Sequence, residues 1–130
     1  IFLHPDGMAA NTWSATRLMH VGPDGRLAWD ELPRLAIYVG PSIDSVNQSS
    51  NGGATTHAYG VRAKLDSYGA IDGTAPTAAS GKAQSLMVEA KAAGKKIAIL
   101  NSSSLTEPGT GAFLASVANR DDEAEIASQI

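Results

Sequence analysis

The amino-acid sequence predicts an α/β fold, because short apolar runs alternate with helical patterns along the chain. Residues 1–3, 35–39 and 97–100 are apolar runs of the kind found in buried strands. Polar, glycine-rich or proline-rich residues follow each run and indicate loops. The resulting order, β-α-β-α-β-α, is typical of an α/β domain.

The predicted helices lie between and after these runs. Apolar or small residues recur at helical spacing over residues 8–20, and a polar stretch with two glycines leads into a small-residue helix within residues 48–62. Asp122 followed by Glu125 resembles a capping box and starts the last helix. Two further helices are predicted, over about 80–94 and 112–117.

Length and composition fit one globular domain or a piece of one. The chain has 130 residues, 43% of them hydrophobic, and no apolar run approaches a membrane span. A net charge of −3, with acidic and basic residues interspersed, argues against a nucleic-acid-binding surface. The absence of cysteine excludes a disulfide framework and a thiolate metal site within these residues. Because the first residues already resemble a strand and the last helical pattern has no stop signal, we expect an N-terminal segment of a larger domain. No signal peptide is recognised in it.

The predicted loops carry groups suited to phosphate or metal chemistry. Asp6 offers a hard oxygen ligand, and Ser50 offers a hydroxyl at a helix start, where backbone N–H groups attract anions. Glu107 and Arg120 follow the third run; the planar guanidinium of an arginine suits two phosphate oxygens. A serine is a weak nucleophile unless a base or a metal activates it.

Each of these residues also has a purely structural interpretation. Ser50 would be a helix N-cap, the Asp6 segment a turn, and Arg120 a solvated surface side chain. Glu107 and the Pro-Gly that follows it would be a helix-entry turn. Ser49, next to Ser50, is the alternative candidate for the nucleophile, because its position in the sequence differs by only one residue.

The order of these motifs resembles the N-terminal part of the alkaline phosphatase family. Residues 1–8 resemble its opening strand and Asp-Gly-Met motif, and residues 106–120 resemble its metal-binding loop and phosphate-binding arginine. Residues 60–62, Gly-Val-Arg, match the end of its nucleophile helix, and counting back from them selects Ser50. The resemblance implies a sandwich of helices around a mostly parallel central sheet.

The same resemblance implies a mechanism and its cofactors. Ser50 would form a phosphoserine intermediate and Arg120 would bind the phosphate. Two zinc ions and one magnesium ion would be held in part by Asp6, Ser50, Glu107 and Thr110. The remaining ligands would come from polypeptide outside these residues, so we expect the 130 residues alone to be inactive. A small phosphate monoester as substrate, a periplasmic or secreted location and a possible homodimer are further implications, with neither nucleic acid nor membrane as partner.

The sequence departs from the family pattern at several positions. Ser49 stands where the family has an aspartate that orients the arginine, Asn51 and Ala9 replace an alanine and a glycine, and Gly109 stands at the threonine ligand position with Thr110 beside it. A phosphodiesterase or sulfatase relative is therefore one alternative. A non-catalytic α/β module that binds phosphate at helix N-termini is the other.

Overall fold

The computed structural model describes all 130 residues, and the chain divides into two compact units, Ile1–Val39 and Gly40–Ile130. The first unit contains helix α1 (Ala10–His20) and a 3-10 helix (Ala28–Glu31). The second contains α2 (Ser50–Tyr59), α3 (Leu86–Ala92), α4 (Pro108–Gly111) and α5 (Glu123–Gln129). None of the helices has both the length and the apolar character that crossing a bilayer requires.

The first unit is organised by side-chain contacts between α1 and the 3-10 helix. Arg17 donates from Nη2 to Oδ1 of Asp30 over 2.7 Å, and Oδ2 of Asp30 accepts from the backbone N–H of Leu27 over 2.8 Å. The Leu27 N–H and the Arg17 guanidinium together hold the pKa of Asp30 below its usual range. Trp13 and Trp29 meet edge to face with ring centroids 4.6 Å apart. Because α1 buries no residue, these contacts define the unit.

The second unit has a core of small and aromatic side chains around α2, which packs against α4 and α3. Small residues on α2 let the neighbouring segments approach its backbone closely. One buried cluster comprises Ala54, Tyr68, Ala112, Ala115, Val117 and Ile126, and a second comprises Ala58, Tyr59, Ala78 and Phe113. This core fixes the position of the first turn of α2.

The predicted central sheet is absent, so the α/β prediction is wrong. Residues 1–3, 35–39 and 97–100 form no strand, and the only β pairings are two isolated antiparallel bridges, Tyr68–Val117 and Ile71–Thr74. Leu35 is 97% exposed and Leu100 93% exposed, so these two side chains are not buried as those of a central strand would be. A short apolar run becomes a strand only where a neighbouring strand satisfies its backbone and buries its side chains. Neither condition is met here, and the loops predicted at strand ends are therefore not at a sheet edge.

The helix predictions are closer to the structure. α1 and α2 lie inside the ranges 8–20 and 48–62, and α5 begins at Glu123, directly after Asp122. The helix predicted over 80–94 begins only at Leu86, where the Ser85 hydroxyl caps it by accepting from the Val88 N–H over 3.2 Å. The short helix predicted over 112–117 lies earlier in the chain, as α4.

Candidate active site

Ser49, and not Ser50, caps α2. Its Oγ accepts from the backbone N–H of Gly52 over 3.1 Å, and its hydroxyl donates to the carbonyl oxygen of Leu65. The Ser49 carbonyl also accepts from the N–H of Gly53 over 2.8 Å. A hydroxyl that is engaged on both its donor and its acceptor side is a structural group, which disfavours Ser49 as a nucleophile.

Ser50 is the first residue of α2, and its environment differs from that of Ser49. Its side chain is half-buried, and its hydroxyl forms no hydrogen bond with the rest of the chain. The backbone N–H groups of Ser50 and Asn51 also have no acceptor within the chain. Unpaired N–H groups in the first turn, together with the helix dipole, favour binding of an anion at this point.

Arg120 lies beside the start of α2. It donates from Nη1 to the side-chain oxygen of Asn51 over 3.2 Å and from Nη2 to Oε2 of Glu107 over 2.8 Å. Asn51 is buried and directly follows Ser50, whereas the side chains of Arg120 and Glu107 are 41% and 44% exposed. The structure thus brings three predicted residues, or their immediate neighbours, to one place: Ser50, Glu107 and Arg120.

A hydrogen bond from Tyr68 holds the loop that carries Glu107 in place. The Tyr68 hydroxyl donates to the carbonyl oxygen of Thr106, and its side chain is fully buried. A Cβ added to Gly111 would lie 1.9 Å from that hydroxyl oxygen, so only glycine fits there. Pro108 at the first position of α4 supplies the backbone angle that a helix start needs.

The Thr110 hydroxyl is fully engaged in hydrogen bonds within the chain. Its Oγ1 accepts from the side-chain amide of Asn101 over 3.0 Å. It shares its single proton between the carbonyl oxygens of Leu105 and Glu107, at 3.0 and 3.2 Å. These contacts close the turn in front of α4 and hold the Glu107 backbone in place.

The charged residues of the site also affect the pKa of Tyr68. Burial, and to a smaller extent the Glu107 carboxylate, raise the pKa of Tyr68 to about 12, while Arg120 acts in the opposite direction. Tyr68 is therefore neutral over the physiological range. It stabilises the site as a hydrogen-bond donor and supplies no base.

Two of the residues predicted as metal ligands, Glu107 and Thr110, are engaged in other contacts within the second unit. No three histidine, aspartate or glutamate side chains lie close enough together to hold an ion. Asp6 lies in an exposed turn of the first unit, and the Glu107 carboxylate is paired with Arg120. The Thr110 hydroxyl is bonded to carbonyl oxygens. The donor set of this chain by itself does not fit a zinc or magnesium ion.

Sequence reasoning missed two residues of this site. Asn51 stood out only as a departure from the family pattern, and in the structure its side-chain oxygen accepts a hydrogen bond from Arg120. Tyr68 lies in no motif with a predicted role, and in the structure its hydroxyl anchors the segment before α4. Gly69, directly after Tyr68, was the one available signal, because a glycine often marks a place where another backbone segment approaches closely.

A comparison with models of known protein families identifies the same family as the order of the motifs does. The family model described as alkaline phosphatase matches residues 1–129, which is nearly the entire chain. The resemblance inferred from the motifs at residues 1–8, 48–62 and 106–120 is thereby confirmed. The chain belongs to the alkaline phosphatase family.

Proposed function

We propose that the protein hydrolyses phosphate monoesters, with Ser50 as the nucleophile and Arg120 as the phosphate-binding residue. Family membership supports a phosphatase-type hydrolase in general. The observation that supports the specific roles is the hydrogen bond between Arg120 and Asn51, which holds the guanidinium beside the residue that follows Ser50. The unpaired N–H groups of Ser50 and Asn51 add two neutral donors for phosphate oxygens at the same point.

The proposed reaction has two displacements. Ser50 Oγ loses its proton to solvent and attacks phosphorus, the ester P–O bond breaks, and the leaving alkoxide takes a proton from water. Water then attacks the phosphoserine and loses a proton, the Ser50 Oγ–P bond breaks, Ser50 Oγ takes a proton from solvent, and inorganic phosphate leaves. Arg120 binds the non-bridging oxygens, whose charge it balances during both steps.

Metal dependence is proposed on family membership alone. The family implies two zinc ions and one magnesium ion, and the sequence places Asp6, Ser50, Glu107 and Thr110 at ligand positions. The 130 residues contain no group of three histidine, aspartate or glutamate side chains that could hold an ion, so the remaining ligands would have to come from further polypeptide. Addition of chelator to the full-length protein, followed by measurement of activity and metal content, tests the dependence.

The nucleophile assignment is tested on the full-length protein with p-nitrophenyl phosphate at alkaline pH. We expect Ser50→Ala to abolish turnover and Ser49→Ala to retain it, since only the Ser50 hydroxyl is unengaged. Mass spectrometry of acid-quenched enzyme should find the phosphoryl group on the peptide containing Ser50. Retained turnover in Ser50→Ala would refute the assignment. Parallel assays on a phosphodiester and a sulfate ester measure which ester class is preferred.

Location and assembly are also proposals that rest on the family. A periplasmic or secreted location is tested by cell fractionation of the native host. A homodimer is tested by light scattering of the purified full-length protein.

A further inference from the structure

We propose that Asn51 and Glu107 are positioning residues that together orient the guanidinium of Arg120 for phosphate. This inference rests on the proposed function, since it concerns how Arg120 meets its substrate. It assigns Asn51 a role in the site and gives Glu107 a role other than metal binding.

The contacts define one orientation of the guanidinium. Nη1 donates to Asn51 over 3.2 Å and Nη2 donates to Glu107 over 2.8 Å. The Nε–H of Arg120 and the second hydrogen on each Nη take part in no hydrogen bond within the chain. An arginine fixed through one N–H on each terminal nitrogen keeps the others for two phosphate oxygens.

The two acceptors are anchored independently of each other. Asn51 is only 5% exposed and belongs to the capped first turn of α2. Glu107 precedes α4, in the segment that Tyr68 and Thr110 hold through the carbonyl oxygens of Thr106 and Leu105. Arg120 bridges these two rigid segments, so its long side chain loses its rotational freedom before a ligand arrives.

No other group near the start of α2 competes for this role. Ser49, the residue before Ser50, uses its hydroxyl on Gly52 and Leu65. Glu107 is the only carboxylate paired with Arg120. The contact uses Oε2 of Glu107, which makes this carboxylate the charged partner of the guanidinium.

A double-mutant cycle in the full-length protein tests the inference. The variants are Asn51→Ala, Glu107→Gln, Arg120→Ala and the combination of Asn51→Ala with Arg120→Ala. The readouts are kcat and KM for p-nitrophenyl phosphate and, independently of turnover, the dissociation constant of inorganic phosphate by calorimetry. We expect Asn51→Ala alone to weaken phosphate binding about tenfold, as loss of one hydrogen bond to a charged group does.

In the Arg120→Ala background, we expect Asn51→Ala to have no further effect beyond about twofold, because a positioning residue acts only through Arg120. Asn47→Ala is the matched control, since Asn47 is an exposed asparagine just before α2 whose side chain makes no hydrogen bond. It should leave phosphate binding unchanged. Glu107→Gln replaces the charged acceptor of Arg120 Nη2 by a neutral one of the same size, so it should weaken phosphate binding without loss of thermal stability.

Two outcomes would overturn the inference. Equal effects of Asn51→Ala with and without Arg120 would show that Asn51 acts on something else. Loss of bound metal in Glu107→Gln, with phosphate binding otherwise unchanged, would make Glu107 a ligand instead. If the wild-type protein binds phosphate but has no turnover, the proposed function fails while the cycle still decides the positioning role. If it binds no phosphate, both fail.

Discussion

The backbone N–H of Gly52 donates to the hydroxyl oxygen of Ser49 over 3.1 Å, and the same hydroxyl donates to the carbonyl oxygen of Leu65. Ser49 thereby joins the first turn of α2 to the segment that follows the helix. Ser50, one residue later, has no such contacts. Two adjacent serines therefore have separable roles, one in stability and one in the proposed chemistry.

This difference predicts opposite phenotypes for the two alanine variants. Ser49→Ala should lower the free energy of unfolding by about 1 kcal/mol, the usual cost of removing an N-cap. Ser50→Ala should stay within about 0.5 kcal/mol of the wild type, because its hydroxyl forms no hydrogen bond. Urea denaturation followed by circular dichroism measures both. A larger loss in Ser50→Ala than in Ser49→Ala would contradict the capping assignment.

The two neighbouring glycines of α2 should respond differently to alanine. A Cβ on Gly52 would lie 2.5 Å from the backbone oxygen of Lys64 and 2.6 Å from Oε1 of Gln48, so Gly52→Ala forces a backbone shift. We expect a loss of about 1–3 kcal/mol, as is usual for overpacking. A Cβ on Gly53 meets only Cγ of Gln48 at 3.4 Å.

Gly53→Ala should therefore be neutral or stabilise the protein by up to about 1 kcal/mol, because alanine favours the helix over glycine. Thermal unfolding of the two variants side by side measures the difference. The prediction fails if Gly53→Ala lowers the melting temperature as much as Gly52→Ala does.

Thr55 and Thr56 form a second matched pair. Thr55 Oγ1 is fully buried, donates to the carbonyl oxygen of Ser67 over 2.8 Å and accepts from the N–H of Gly69 over 2.8 Å. Valine has nearly the same shape, so Thr55→Val leaves both backbone groups buried without partners. Each such group costs about 1–3 kcal/mol, and we expect a total loss of at least about 2 kcal/mol.

Thr56→Val is the control, because Thr56 Oγ1 is buried and has no hydrogen-bond partner. Removal of an unpaired buried hydroxyl should leave stability unchanged or raise it. Chemical denaturation of both variants measures the contrast. Equal losses at the two positions would show that shape, and not hydrogen bonding, decides stability here.

Local sequence patterns predicted the helices more accurately than they predicted the tertiary structure. The spacing of small residues after Gly52 and Gly53 was enough to locate α2, because helix formation depends on near neighbours. The apolar runs at 1–3, 35–39 and 97–100 carry equally clear local patterns. A strand nevertheless depends on pairing with a distant segment, and none of these runs takes part in a β pairing.

In the candidate site, too, the sequence identified individual residues but not the contacts between distant segments. Motif order and spacing singled out Ser50, Glu107 and Arg120, and the structure brings the last two into contact near the start of α2. The pairing of Asn51 with Arg120 could not be predicted, because 69 positions separate them in the sequence. The buried cluster that includes Ala54 and Ala115 brings these segments together, and neither residue carries a recognisable functional pattern.

Tyr68 makes the stability of the protein sensitive to alkaline pH. Burial raises its pKa from 10.0 to about 12, and the nearby Glu107 carboxylate acts in the same direction. Above pH 10 the unfolded chain releases the phenolic proton while the folded protein keeps it, so the free energy of unfolding falls as the pH rises toward 12. At about 1.4 kcal/mol per pKa unit, Tyr68 should account for a loss of about 2–3 kcal/mol across this range.

Tyr68→Phe tests this directly. Phenylalanine cannot ionise, so urea denaturation between pH 9 and 12 should show a shallower pH dependence than the wild type. A residual slope is expected, because burial also raises the pKa of Tyr59. Near neutral pH the variant should be less stable by about 1 kcal/mol, since the Thr106 carbonyl oxygen loses its donor. The two stability curves should therefore converge above pH 10 and cross before pH 12, because the loss of about 2–3 kcal/mol in the wild type exceeds its advantage of about 1 kcal/mol. Parallel curves would show that Tyr68 ionises as freely in the folded protein as in the unfolded chain.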